Sequence, residues 1–149
     1  MDTVTYPEVS TQEAIARLTV PFQIDNTQDA SQATLTKYRH VWTPDLRVLE
    51  GDGTELYRWN GYLPPSEFVP QLLVAVAHAR LRRKEFDRAE PLYEEALRRF
   101  PTSLVAAEAQ YFLAVTRYRK TEQPSDLTHE WHELEKSHPQ SEWTVKQNF

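Results

Sequence analysis

"VPQLLVAVAHARLRRKEFDRAEPLYEEALRRFP", Val69 to Pro101, decides how most of this chain folds. It contains no glycine, and its apolar residues recur at three- and four-residue steps, the period of a helix that buries one face. Leu73, Val76 and Ala77 share one stripe, and Ala89, Tyr93 and Ala96 share another. The alanines stand where paired helices approach closely, so the spacing predicts two packed helices. Arg80–Lys84, "RLRRK", falls between them. Cations late in a helix complement its dipole and stay hydrated, which explains the run better than a phosphate patch does.

Downstream the pattern returns in a looser form. "SLVAAEAQYFLAVTRY" and "DLTHEWHELEKSHP" read as a second helix pair ending at Pro139, with Tyr111, Tyr118, Trp131 and Leu134 at the large positions. "HPQSEWTVK" echoes "FPTSLVAAEAQYF", so a third unit starts at Ser141 and stops at Phe149. The order of small and large residues resembles the tetratricopeptide repeat. There are departures: Arg80 stands where an aromatic is usual, with Leu81 beside it, and the prolines ending the two units lie farther apart than one such repeat. The resemblance implies a protein-binding helical module, with Tyr111 and Tyr118 on its partner surface. Core packing is the competing account of these aromatics. Because about three stacked repeats are needed for stability, so short an array should lean on whatever precedes it.

What precedes it has a different rhythm. "STQEAIARL" opens a helix with a capping box of Ser10 and Glu13. "VPFQID", Val20 to Asp25, alternates Val20, Phe22 and Ile24 against polar neighbours, the period of a strand. "DASQATLTKYRH" reads as a helix capped by Asp29, with Gln32 three residues later. Thr43-Pro44 breaks it, since the residue before proline is pushed out of helical geometry. "LRVLE" and "ELYRW" flank "GDG", a strong hairpin signal, and "PPSEF" opens a helix with proline in its first turn. Val20–Phe68 therefore resembles the C-terminal half of the thioredoxin fold. The resemblance implies a cis Thr43-Pro44 bond and a substrate rim at Trp42, Thr43 and Pro44. For Trp42 a second account stands beside this one, that it covers the end of the sheet.

The chain has no cysteine, so its residues cannot carry out thiol redox chemistry. "MDTVTYPEV" resembles the stretch that follows the cysteines in thioredoxin-like proteins with a C-terminal helical repeat. Two explanations follow: Met1 is an internal start within a shortened member, or the chain is a cysteine-less relative. With three glycines, all between Gly51 and Gly61, phosphate-cradling loops and nucleophile elbows are excluded. His129 and His132 share a helix face with Glu133, but "HEWHE" lacks a third ligand, and a solvated face around Trp131 accounts for it. A net charge of −5 argues against nucleic acid, and no apolar run is long enough for a membrane helix. The opening "MDTVTYPEVS" lacks the basic and apolar regions of a signal peptide, so none is expected here.

The sequence thus predicts an α/β thioredoxin-like part with an incomplete, three-stranded sheet, followed by an all-α tetratricopeptide-like repeat. Residues 1–65 form the first part and 66–149 the second, which holds two repeats and a capping half-helix; the helix from about 66 to 83 is shared. The expected function is non-catalytic: protein–protein interaction or scaffolding in the cytoplasm, without cofactor or metal. The expected partner is a protein or peptide, not nucleic acid or a membrane. A homodimer through the open sheet edge is also expected. The competing reading is a thiol–disulfide oxidoreductase or redox-linked chaperone whose Cys-x-x-Cys segment lies upstream of Met1.

Overall fold

The computed structural model describes residues 1–147; Asn148 and Phe149, the end of the expected third unit, lie outside the described residues. The elements in chain order are α1 (Val9–Leu18), a 3₁₀ turn (Asp29–Ser31), α2 (Gln32–Lys37), β1 (Asp45–Leu49), β2 (Glu55–Asn60), α3 (Pro65–Arg82), α4 (Phe86–Arg99), α5 (Ala106–Thr121), α6 (Pro124–Ser137) and α7 (Glu142–Lys146).

Three sequence expectations are corrected at the N-terminal end. The first helix does not start from a Ser10 capping box; its N-cap is Glu8, without a side-chain cap bond. The amides of Val4, Thr5 and Tyr6 converge on the Met1 carbonyl, and this turn delivers the chain into helical geometry before Ser10. Nor does Asp29 cap a long second helix. Asp25 closes the preceding loop instead, accepting from the Thr27 amide and hydroxyl at 2.9 and 2.7 Å, and Asp29 lies inside the 3₁₀ turn. The third correction is the largest: Val20–Asp25 is not a strand. The sheet has two strands, not three, and Val20 and Phe22 are 96% and 88% exposed. Alternation yields a strand only where a neighbouring backbone accepts its amides, and among the described residues none does so here.

The hairpin forms where "GDG" places it. β1 and β2 are antiparallel, with Leu46 opposite Trp59 and Arg47 opposite Arg58, and a bulge between Val48 and Leu49. The Glu50 amide donates to Thr54 O at 2.8 Å, the Gly53 amide to Glu50 O at 2.9 Å, and the Thr54 amide to Asp52 Oδ1 at 2.8 Å. Gly53 has φ +85°, which glycine adopts without steric cost. Cross-strand pairing sorts the side chains by face. Leu46, Val48 and Trp59 pack on the core, whereas Asp45, Arg47, Arg58 and Asn60 share the opposite face. Beside that second face stands the end of α2, whose Tyr38 hydroxyl donates to Gly53 O at 2.9 Å and whose ring lies under Arg47. The Thr43-Pro44 bond is cis.

α3 starts with Pro65 at its first helical position, as "PPSEF" suggests. From Leu72 to Ala79 every residue is buried, because α1 and the hairpin pack on some of its sides and α4 and α5 on others. A helix clothed this way is apolar almost all round. α4 shows the opposite pattern, burying only Ala89, Tyr93 and Ala96. One apolar cluster runs from Ala14 through Phe68, Leu73 and Tyr93 to Ala109 and Leu113, with Leu46, Val48 and Trp59 packed against it.

Candidate functional site

Three places in the fold carry polar or aromatic chemistry. The first is the helical module. Ala89, Tyr93 and Ala96 of α4 have almost no exposed surface, which lets α4 close on α3. Tyr111, on α5, stacks on Trp131 of α6 (centroids 5.3 Å apart) and meets Trp143 of α7 at 5.2 Å. It is therefore part of the cluster that joins α5, α6 and α7. Tyr118 stands two turns further along α5 and is exposed. The structure places the two tyrosines on one helix but in different surroundings. His129 and His132 are exposed, and His132 Nδ1 lies 2.7 Å from the Thr128 carbonyl, one turn back. Glu133 is paired with Lys136. Among the described residues no group of three or more His, Asp or Glu side chains is placed to hold a metal ion. Of the "RLRRK" run, Arg80 and Arg83 both bind Glu85 at 2.8 Å, so these cations are compensated locally.

The second place escaped sequence reasoning. His78, 7% exposed in α3, stacks on Tyr57 of β2 with rings 5.0 Å apart and nearly parallel. Its Nε2 lies 2.9 Å from Glu108 Oε1 of α5, and its Nδ1 lies 3.1 Å from the Tyr93 hydroxyl of α4. The Tyr57 hydroxyl donates to the same Glu108 oxygen at 3.2 Å and accepts from Gln71 Nε2 at 3.3 Å. With a neutral imidazole protonated on Nε2, every member is satisfied: Nε2–H donates to Glu108, and the Tyr93 O–H donates to Nδ1. Burial pushes the Tyr57 hydroxyl up to about 12, and the Glu108 charge adds to the effect. Burial raises Tyr93 further still. The cluster ties β2, α3, α4 and α5 together at one point, holding these elements in place through its bonds. A His within an apolar helical run is the sequence signal that could have pointed to it.

A second polar knot fixes the far pair. Arg117 of α5 bonds Glu90 and Glu94 of α4 and Glu130 of α6, and Lys120 adds Glu90 and Asp87. Burial works against the Glu90 carboxylate, but the hydrogen bonds from Lys120 and Arg117 outweigh it and hold its pKa down.

The third place is the rim at Trp42, Thr43 and Pro44. Trp42 is 71% exposed and Val41 is similarly open. The Thr43 hydroxyl accepts from Asn26 Nδ2 at 3.0 Å and lies 3.3 Å from His40 Nε2, whose Nδ1 is 3.3 Å from Asp45 Oδ2. The row of hydroxyl, imidazole and carboxylate has the connectivity of a nucleophile relay, but not its electrostatics. Arg47 grips both oxygens of Asp45, at 3.0 and 2.7 Å, and so neutralises the charge an imidazolium would need. Burial pushes Asp45 up, yet its bonds from Arg47 and His40 win and hold its pKa below the ordinary value. The row orders the loop before β1. A recess of about 180 Å³ opens beside it, lined by Arg39, Val41, Trp42, Asp45, Arg58 and Asn60.

Residues 70–116, from Pro70 in α3 through α4 into α5, match the family model of the tetratricopeptide repeat. No curated protein and no solved structure matches the chain. Helical repeats of this type offer a surface for protein partners.

Proposed function

We propose that the chain is a protein-binding module without catalytic chemistry of its own, in which the helical repeat presents the recognition surface. The observation that carries this reading is the match over residues 70–116, together with helices paired as such repeats require. The described part of α5 leaves Tyr118 open beside the closed aromatic cluster, so Tyr118 and the outer edge of Tyr111 form the partner face in this reading. Residues 1–65 then act as a thioredoxin-like support and 66–149 as the binding part, with α3 shared. Support for the thioredoxin-like element comes from its order of helix, hairpin and closing helix, with α3 packed on one face of the hairpin. The cytoplasm is the compartment this reading assigns. The reading includes a homodimer through the unpaired sheet edges, supported by a hairpin of only two strands, each with one outer edge unpaired. Sedimentation equilibrium at micromolar protein is its check: a 17.5 kDa species throughout removes the dimer.

The experiment for the main reading is site-specific photo-crosslinking in cells. A photoreactive phenylalanine analogue at Tyr118 should trap a discrete protein partner, while the same analogue at the exposed Glu135 should trap none. Equal labelling from both positions, or none from Tyr118, removes the helical module as the recognition surface.

A further inference from the structure

We propose that the recess beside Trp42 is a second binding subsite, selective for an extended peptide segment that carries an acidic side chain next to an apolar one. The proposal deepens the reading of the chain as a protein-binding module and rests on it. It is built from the charges on one face of the hairpin. Asp45, Arg47, Arg58 and Asn60 share that face, and Glu55 reaches Arg47 from its edge. Arg47 uses both carboxylates, Asp45 and Glu55, and His40 shares Asp45. Arg58 is left over, and so is Arg39, which lines the same recess: neither side chain has an ion-pair or hydrogen-bonding partner among the described residues. The recess itself holds Arg39 and Arg58 against Asp45, whose charge Arg47 already engages, a local excess of positive charge on a chain of net −5.

Position as well as charge supports this. Arg39 has φ +49°, a conformation that few non-glycine residues adopt, with its amide donating to Thr36 O at 3.1 Å and the next amide, His40, reaching Leu35 O at 2.9 Å. That turn ends α2 and sets Arg39 between two hollows. One is the recess with Trp42; the other, about 500 Å³, is lined by Asn26, Gln32, Leu35, Thr36, Arg39 and His40. An extended segment laid along both hollows passes Arg39 with an internal side chain. Val41 and Trp42, 88% and 71% exposed, offer the apolar floor for the neighbouring residue, and the Asn60 amide lies beside it. Guanidinium groups suit a carboxylate because they present paired donors in one plane.

The test uses the whole protein and two fluorescein-labelled, end-blocked peptides, Thr-Val-Glu-Val-Thr and Thr-Val-Gln-Val-Thr, followed by fluorescence polarisation. The Glu peptide should bind at least tenfold tighter than the Gln peptide and weaken as salt rises. Arg39→Gln and Arg58→Gln should each abolish that preference, and Trp42→Ala should weaken both peptides alike. Both arginines are exposed, so far-UV circular dichroism of the variants should match wild type. Equal affinity for the two peptides overturns the proposal, as does an unchanged preference in both arginine variants. A Trp42-dependent signal that varies with protein concentration alone would assign the face to a second copy and equally overturn it. Crosslinking at Tyr118 reports on the helical surface independently, so failure here is distinguishable from failure of the main reading.

Discussion

Gly53 shows how one residue can hold a hairpin. Its φ of +85° favours glycine, and an added Cβ would also sit 2.8 Å from Lys37 Nζ and 2.9 Å from the Tyr38 hydroxyl. The two side chains can swing away; the backbone angle cannot change without opening the turn. Gly53→Ala should therefore cost about 1 kcal/mol or more, whereas Gly51→Ala, with open space around it, should cost less. Urea titrations of the two variants measure the difference. Tyr57 gives a pH prediction. Its hydroxyl is raised from 10 to about 12, so between those values the unfolded chain has lost a proton that the folded chain keeps. Stability is fully present below pH 10 and falls as pH rises toward 12. Melting temperatures of wild type should drop across that window, and Tyr57→Phe should drop less steeply, though Tyr93 keeps part of the effect. The turn was legible in "GDG" because a local angle was at stake. The Tyr57–His78–Glu108 contact was not, because Glu108 lies 30 residues beyond His78 and 51 beyond Tyr57, and no local pattern records such a meeting. Of the residues lining the recess, the sequence singled out only Trp42, through the resemblance, whereas Arg39 and Arg58 meet there only through a left-handed turn and the hairpin's pleat.

Among the elements, α4 is the most exacting. Ala89 and Ala96 are buried against α3 and α5, so Ala89→Leu or Ala96→Leu should destabilise by roughly 1–3 kcal/mol through overpacking. The exposed Glu135→Ala is the control, expected within about 0.5 kcal/mol. Thermal melts indistinguishable from wild type for both leucine variants would break the helix pairing argued from the spacing. Arg117→Ala should be costlier, roughly 3 kcal/mol, since it leaves the buried Glu130 carboxylate with Gln110 as its remaining side-chain partner. Chemical denaturation of Arg117→Ala against Lys120→Ala, whose cation is exposed, separates the buried contribution from the surface one. The paired helices were readable because an apolar stripe of period 3.6 needs only its own turn of helix to express itself. The Val20–Asp25 strand was misread for the converse reason: a strand depends on its neighbour's backbone, and alternation in one segment cannot announce whether that neighbour is present.

At the scale of the whole molecule, the apolar cluster runs without a break from α1 and the hairpin into α5. Unfolding should accordingly be a single transition, with tryptophan fluorescence and far-UV circular dichroism reporting the same midpoint. Two separated midpoints would show that the hairpin end and the helical end unfold independently. The contact at Glu108 has one more consequence, for how such a chain could lengthen. An extra helix pair added beyond α7 would leave the hairpin's bonds untouched. Inserted between α4 and α5, the same pair would move Glu108 one storey away, stranding His78 and Tyr57 unless the newcomer carried its own acid at that spot. Growth by duplication is thus open at one end and guarded by a single carboxylate at the other.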